Sequence, residues 1–212
     1  TIYMKKFLFL VAMAATIVMA GCSEQAALKR DLKRALAVAV EQDKAQAEVM
    51  LELQGEMPKT FENGKLVTAN IRWWTSGFFP GSLWLLYEHT GDDELRQYAE
   101  HFTSRLESLK DYTGTHDLGF MVFCSYGNGY RLTGNEAYKD VINQASASLA
   151  TRFNETVGCI RSWNTGRKEH PEEDYIVIID NMMNLEMLEW SGYHELARKH
   201  ADTTIANHFR DD

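Results

Sequence analysis

WWTSGFFPGSLWLLYEHTG, residues 73–91, is apolar on nearly every side, and DDELRQYAEHFTSRLESL, residues 92–109, is apolar on one side only. In the second segment Leu95, Tyr98, Phe102, Leu106 and Leu109 recur at helical spacing and draw one stripe among charged residues. A helix buried all round, a turn at Gly91, and a half-buried helix make a hairpin with an inner and an outer member. The pattern returns twice. DLGFMVFCSYGNGYRLTG (117–134) precedes NEAYKDVINQASASLATRF (135–153), and YIVIIDNMMNLEMLEWSG (175–192) precedes YHELARKHADTTIANHF (193–209). In the second copy Tyr138, Val141, Ala145, Leu149 and Phe153 carry the stripe. The turns end at Gly91, Gly134 and Gly192, separated by 43 and 58 residues, each placed as a helix C-terminal glycine. Stacked hairpins of this kind predict an all-α fold, with the inner and outer rings of an α/α toroid.

Outside the repeats the chain is simpler. Residues 23–54 are rich in Ala, Leu, Glu, Lys and Gln, and Leu28, Leu32, Leu36 and Val40 recur every four residues, which predicts a long amphipathic helix. From Gly55 to Arg72 the periodicity fails, and Pro58, Asn63 and Gly64 predict a loop. The 212 residues carry a net charge of −8, which argues against a nucleic-acid groove built from clustered Lys and Arg. An anionic small substrate stays open, because a local Arg or His can act inside an acidic protein.

From Met4 the chain reads MKKFLFLVAMAATIVMAGC. Two lysines precede an apolar run from Phe7 to Ala20 that is short for a membrane-spanning helix, which is the layout of a secretory signal. Its end, Met19-Ala20-Gly21-Cys22, resembles the lipobox of bacterial lipoproteins, in which the cysteine is acylated and becomes the first mature residue. The resemblance divides the chain into a signal peptide and lipidation site at residues 1–22 and a mature domain at 23–212. It implies a membrane partner through lipid on Cys22 and a place in the bacterial cell envelope. Thr1, Ile2 and Tyr3 lie ahead of the expected start. Cys124 and Cys159 remain; they could pair, although nothing in their spacing demands it, and Cys124 reads as a small buried thiol.

The polar residues inside the apolar runs are the functional candidates. Asp180, Asn181 and Asn184 interrupt YIVIIDNMMNLEMLEW, and in an inward-facing helix Asp180 and Asn184 would share one face. A carboxylate there needs a partner, a raised pKa or a task. The alternative is a helix N-cap, against which stand four apolar residues directly before Asp180. Trp74 and Asp117 each lie 17 residues before the glycine that ends their copy, and Asp180 lies 12 before Gly192. All three fall near inner-helix starts and are expected to converge at one end of the toroid. Two carboxylates facing one cavity suit glycoside chemistry, one protonated and one ionised. Trp73, Trp74 and Trp163 offer flat faces for sugar rings, while Trp84 and Trp190 read as core. His116 is either a substrate donor or a loop histidine. HPEED (170–174) reads as a solvated loop near the cavity mouth. No histidine stands in an HxxxH pair or a Cys cluster at zinc spacing.

WWTSGFFPGSLWLLYEHTGDD, THDLGFM, CIRSW and VIIDNMMNLEMLEW, in this order and spacing, resemble the unsaturated glucuronyl hydrolases of glycoside hydrolase family 88. The resemblance runs from about residue 35 to the end. It implies an (α/α)6 barrel, of which about three hairpins are visible here, and a substrate that is an oligosaccharide ending in a 4,5-unsaturated uronic acid. It implies Asp180 as general acid and base, Asp117 as the second essential aspartate, His116 as a substrate contact, and Trp74 and Trp163 as ring-stacking residues. No metal and no organic cofactor are implied. Two other readings remain, a lipoprotein that only binds glycans and the related unsaturated rhamnogalacturonyl hydrolases.

Overall fold

The computed structural model describes residues 2–164 and 175–210, with side chains from Gln25 onward. The chain forms two units, residues 1–45 and residues 46–212. The described residues of the first, 2–45, are helical and form the N-terminal part of α1 (Ile2–Glu52). Of the expected apolar stripe there, Leu28 is 61% and Leu32 53% exposed, while Leu36 and Val40 are half-buried. No helix among the described residues is long and apolar enough to cross a membrane.

The second unit opens with the last turns of α1, where Ala47 and Met50 are fully buried. The guanidinium of Arg105 donates to the carbonyls of Met50, Leu53 and Glu56 and so caps the end of that helix. The expected loop after it is instead an antiparallel hairpin of β1 (Glu56–Glu62) and β2 (Lys65–Asn70). Its two-residue turn is Asn63-Gly64, with φ of 51° and 74°. Asn-Gly is the pair that tolerates left-handed backbone at both positions, and the loop expectation overlooked it.

Three helical hairpins follow. In the first, α2 (Phe78–Thr90) packs on α3 (Asp93–Ser104). Trp84 is fully buried, as expected, and its indole donates to the Thr103 hydroxyl at 2.9 Å. Leu95, Phe102, Leu106 and Leu109 of the outer stripe are buried too, the last in a 3₁₀ turn over Glu107–Asp111. Burying each such side chain contributes about 1.5–3 kcal/mol. Gly91, Gly134 and Gly192 all take positive φ after their inner helices, as the sequence predicts.

The second inner helix departs from the regular one expected. Gly119–Gly127 is π-helical and runs into α4 (Asn128–Thr133). Ser125 bonds back to the Met121 and Val122 carbonyls, a local competitor for the helical ladder. The outer member is α5 (Glu136–Ala150). Inner runs approach closely through glycine: a Cβ at Gly77 would collide with the Phe120 and Met121 carbonyls, and one at Gly81 would come within 2.7 Å of the Cys124 carbonyl oxygen.

Short strands β3 (Phe153–Asn154) and β4 (Cys159–Ile160) lead to the third hairpin. Here the expectation of a helix from Tyr175 fails. Ser162 N–H donates to the Ile176 carbonyl, and Ile178 N–H donates to the Ser162 hydroxyl, so residues 175–178 run extended. A run of β-branched residues favours that state. Helix begins only with a 3₁₀ segment at Ile179–Asn184, then α6 (Leu185–Trp190) and outer α7 (His194–His208). Trp190 is not core: it is 40% exposed, with its ring against Phe123 and Tyr130. At the end of α6 it borders an open cavity of about 600 Å³ that Phe120, Phe123, Tyr130 and Met183 also line. Cys124 and Cys159 are both free thiols; burial pushes Cys124 up to about 11.

Candidate active site

Two segments meet at the site: Thr115 to Leu118, just ahead of the π-helical run, and the 3₁₀ segment carrying Asp180. Asn184 clamps them together. Its side-chain oxygen accepts from Gly119 N–H at 2.9 Å, and its amide donates to the His116 carbonyl at 2.8 Å and to Asn181 Oδ1 at 2.7 Å. Asn181 donates in turn to the Ile160 carbonyl at 2.7 Å. Both asparagines are fully buried, and each of these bonds goes to a buried group that needs a partner.

His116 stands between the two carboxylates and is itself buried, at 1% exposure. Its Nδ1 lies 3.0 Å from the Ser162 carbonyl, which can only accept, so Nδ1 carries the hydrogen. The opposite nitrogen, Nε2, lies 3.2 Å from Asp180 Oδ1 and 3.5 Å from Asp117 Oδ1. A close contact between Nε2 and a carboxyl oxygen requires one proton between them, on the ring or on the acid. Asp117 is mostly buried and takes a hydrogen bond from the Thr115 hydroxyl. Behind the Ser162 carbonyl, buried Arg152 donates to that same oxygen and to the carbonyls of Thr113 and Arg161. Burial lowers the pKa of Arg152; Asp117 favours its charge.

Asp180 departs from the expected buried carboxylate, since its side chain is 43% exposed. Nor does it cap the helix: the 3₁₀ segment begins after Ile178 and has no side-chain cap. The carboxylate is reachable from solvent on one side and held by His116 on the other. Asp117 and Asp180 therefore converge, as the repeat spacing predicts. Trp163 adds its ring edge-on to His116 at 6.0 Å. Trp74, 41% exposed, packs on Phe78 and Phe120 at 5.8 Å each, in a cluster beside the helix start. The acidic stretch at 170–174 lies outside the described residues. His116, Asp117 and Asp180 also bring three donor atoms within 4.8 Å of one another, a set that could hold a divalent cation.

The sequence reading marked Asn181 and Asn184 as polar interruptions without assigning their bonds, and it did not single out Ser162, Thr115 or Arg152. Asn184 carried a signal, as a polar residue inside an apolar run. Ser162 lies in a segment without periodicity, and Arg152 is one charged residue at the end of an amphipathic stripe; neither carried one.

Stacked α-hairpins with paired carboxylates at the inner-helix starts define the class, part of an α/α barrel. No protein-family model matches the chain. It is 47% identical over 147 residues to an unsaturated glucuronyl hydrolase of Formosa agariphila, a match covering 66% of this chain and 36% of that one. It is 32% identical over 188 residues to an unsaturated chondroitin disaccharide hydrolase of Streptococcus agalactiae, covering 82% and 46%. Among solved structures, an unsaturated glucuronyl hydrolase specific for heparin superposes with a TM-score of 0.72 at 41% identity, covering 84% of this chain and 49% of that one. The chain belongs to the unsaturated glucuronyl hydrolase family. It spans less than half the length of these relatives.

Proposed function

We propose that the chain contributes the acid/base centre of a hydrolase acting on oligosaccharides that end in a 4,5-unsaturated uronic acid. The observation that carries the reading is the contact of 3.2 Å between His116 Nε2 and Asp180 Oδ1, with Asp117 Oδ1 3.5 Å from the same nitrogen. Because Nδ1–H is engaged by Ser162, a neutral His116 presents only a lone pair to Asp180, which then holds its own proton against that nitrogen. Asp117 accepts from the Thr115 hydroxyl on the other side of the same nitrogen.

The substrate is an enol ether. Asp180 delivers its proton to C4, and positive charge develops at C5 and the ring oxygen. Asp180, now a carboxylate, takes a proton from water as the water oxygen bonds to C5. The hemiketal so formed opens to a ketone, and C1, left as a hemiacetal, collapses and releases the neighbouring sugar. The half-exposure of Asp180 suits this role, since an acid that protonates carbon must touch substrate. His116 orients the acid, and Trp163 and Trp74 offer ring faces for the sugars. The relatives' names, heparin-specific glucuronyl and chondroitin disaccharide hydrolase, favour glycosaminoglycan-type uronates over the rhamnogalacturonyl alternative. The leader reading adds a lipid on Cys22 and a cell-envelope location, supported by the lipobox-like sequence.

The test is loss of the ultraviolet absorbance of an unsaturated uronic disaccharide on incubation with the chain. Asp180→Asn is expected to cut the rate by about 10²–10⁴. A glycan-binding protein without catalysis would bind the disaccharide and leave its absorbance intact in both forms. That outcome would sink the hydrolase reading.

A further inference from the structure

A line of buried groups runs from outer helix α7 to the acidic site. His200 on α7 is fully buried, and its Nδ1 accepts from the Ile160 N–H at 3.1 Å. The Ile160 carbonyl accepts from Asn181 at 2.7 Å. Asn181 Oδ1 accepts from Asn184, whose amide also holds the His116 carbonyl. Asn181 is the residue next to Asp180. Ile160 is thus pinned on one side by His200 and on the other by the segment that carries the acid.

The state of the His200 ring is settled by its partner. A backbone N–H can only donate, so Nδ1 is bare and Nε2 carries the hydrogen. That Nε2 has no partner among the described residues although it is buried. A half-satisfied imidazole is a costly occupant for an interior site, where an apolar residue would leave no orphan donor. The useful atom is therefore the acceptor at Nδ1, and what it holds is Ile160.

We propose that His200 is a positioning residue for Asp180: by fixing Ile160, whose carbonyl anchors Asn181, it sets the orientation of the 3₁₀ segment that presents the acid. The proposal rests on the reading of Asp180 as the acid, and it adds a residue that touches neither substrate nor carboxylate. It also explains why the third inner helix starts late. The start at Ile179 is tied to Ile160, the last residue of β4, and to Ser162 just after it, rather than to a side-chain cap.

The experiment uses the full chain and two amide variants. In His200→Asn the side-chain oxygen falls where Nδ1 lies; in His200→Gln it is carried one bond farther out. The readouts are kcat and KM on an unsaturated uronic disaccharide, and the ring ¹⁵N shifts of His116 in histidine-labelled protein. The expected result for His200→Gln is a kcat lower by about tenfold or more with little change in KM, because small displacements of a catalytic group are costly in rate. Its His116 shifts move, and His200→Asn restores both readouts. Equal behaviour of the two variants, or a folded His200→Gln with wild-type shifts and kcat, overturns the proposal. A wild-type chain without turnover counts against the hydrolase reading alone. The His116 shifts then decide the positioning, supporting it if Gln moves them and Asn restores them, and overturning it if they stay.

Discussion

Acid should destabilise this protein through one identifiable ring. His200 is at 0% exposure, and burial lowers its pKa from 6.5 to about 4. The folded state therefore holds His200 neutral in a range where the unfolded chain binds a proton. Between pH 6.5 and about 4 the unfolded state carries more protons, so stability falls as pH falls through that window and is fully present above it. At about 1.36 kcal/mol per pKa unit, the loss is about 2 kcal/mol by pH 5 and levels off near ~3 kcal/mol below pH 4. Protonation also destroys the acceptor for Ile160 N–H, so the same ring loses a bond as it gains charge. Urea unfolding of the wild type and His200→Asn, each at pH 7.5 and pH 5, isolates this term, because every other titrating group is common to both. The wild type is expected to lose about 2 kcal/mol more than the variant on acidification. Parallel losses in the two proteins would refute the assignment of a neutral, buried His200.

Two other outcomes follow from contacts already described. Gly81→Ala forces a methyl to within 2.7 Å of the Cys124 carbonyl, so α2 and the π-helical run must separate; the expected cost is about 1–3 kcal/mol, read as a Tm lowered by several degrees. If Cys22 is acylated in a bacterial host, the wild type is recovered with membranes and takes up labelled fatty acid, whereas Cys22→Ser does neither; equal labelling of both would refute the lipid anchor.

Much of this fold was legible because the hairpins announce themselves through composition. An inner helix buried all round and an outer helix buried on one face differ in the simplest way two helices can, and glycines mark each turn between them. The misses share a cause. At Gly119–Gly127, at Tyr175–Ile178 and at the Asn63-Gly64 hairpin, local hydrogen bonds or backbone conformation overrode the apolar pattern. Periodicity reports which side is buried and says little about which bonds satisfy the backbone. Trp190 failed for another reason: its neighbours give it a shared cavity wall rather than a closed interior. The site was half legible. Spacing aligned Asp117 and Asp180, but Ser162 comes from an irregular segment, where sequence distance gives no guide to spatial distance, and Arg152 reads in the sequence only as a charge at the end of an outer stripe.

That division also accounts for how the site is built. The group that must meet substrate, Asp180, stands half in solvent on a short 3₁₀ segment, which by itself is a poor holder of geometry. Precision has to come from groups that never meet substrate. His116 is fixed by Ser162, Asn184 binds the two segments, and Asn181 reaches back to Ile160 and through it to α7. These anchors sit on the hairpins and strands on either side of the site, and all are buried where water cannot compete for their bonds. An exposed acid held by a buried polar network can be reached without being loose, and hydration chemistry at a carbon atom needs both.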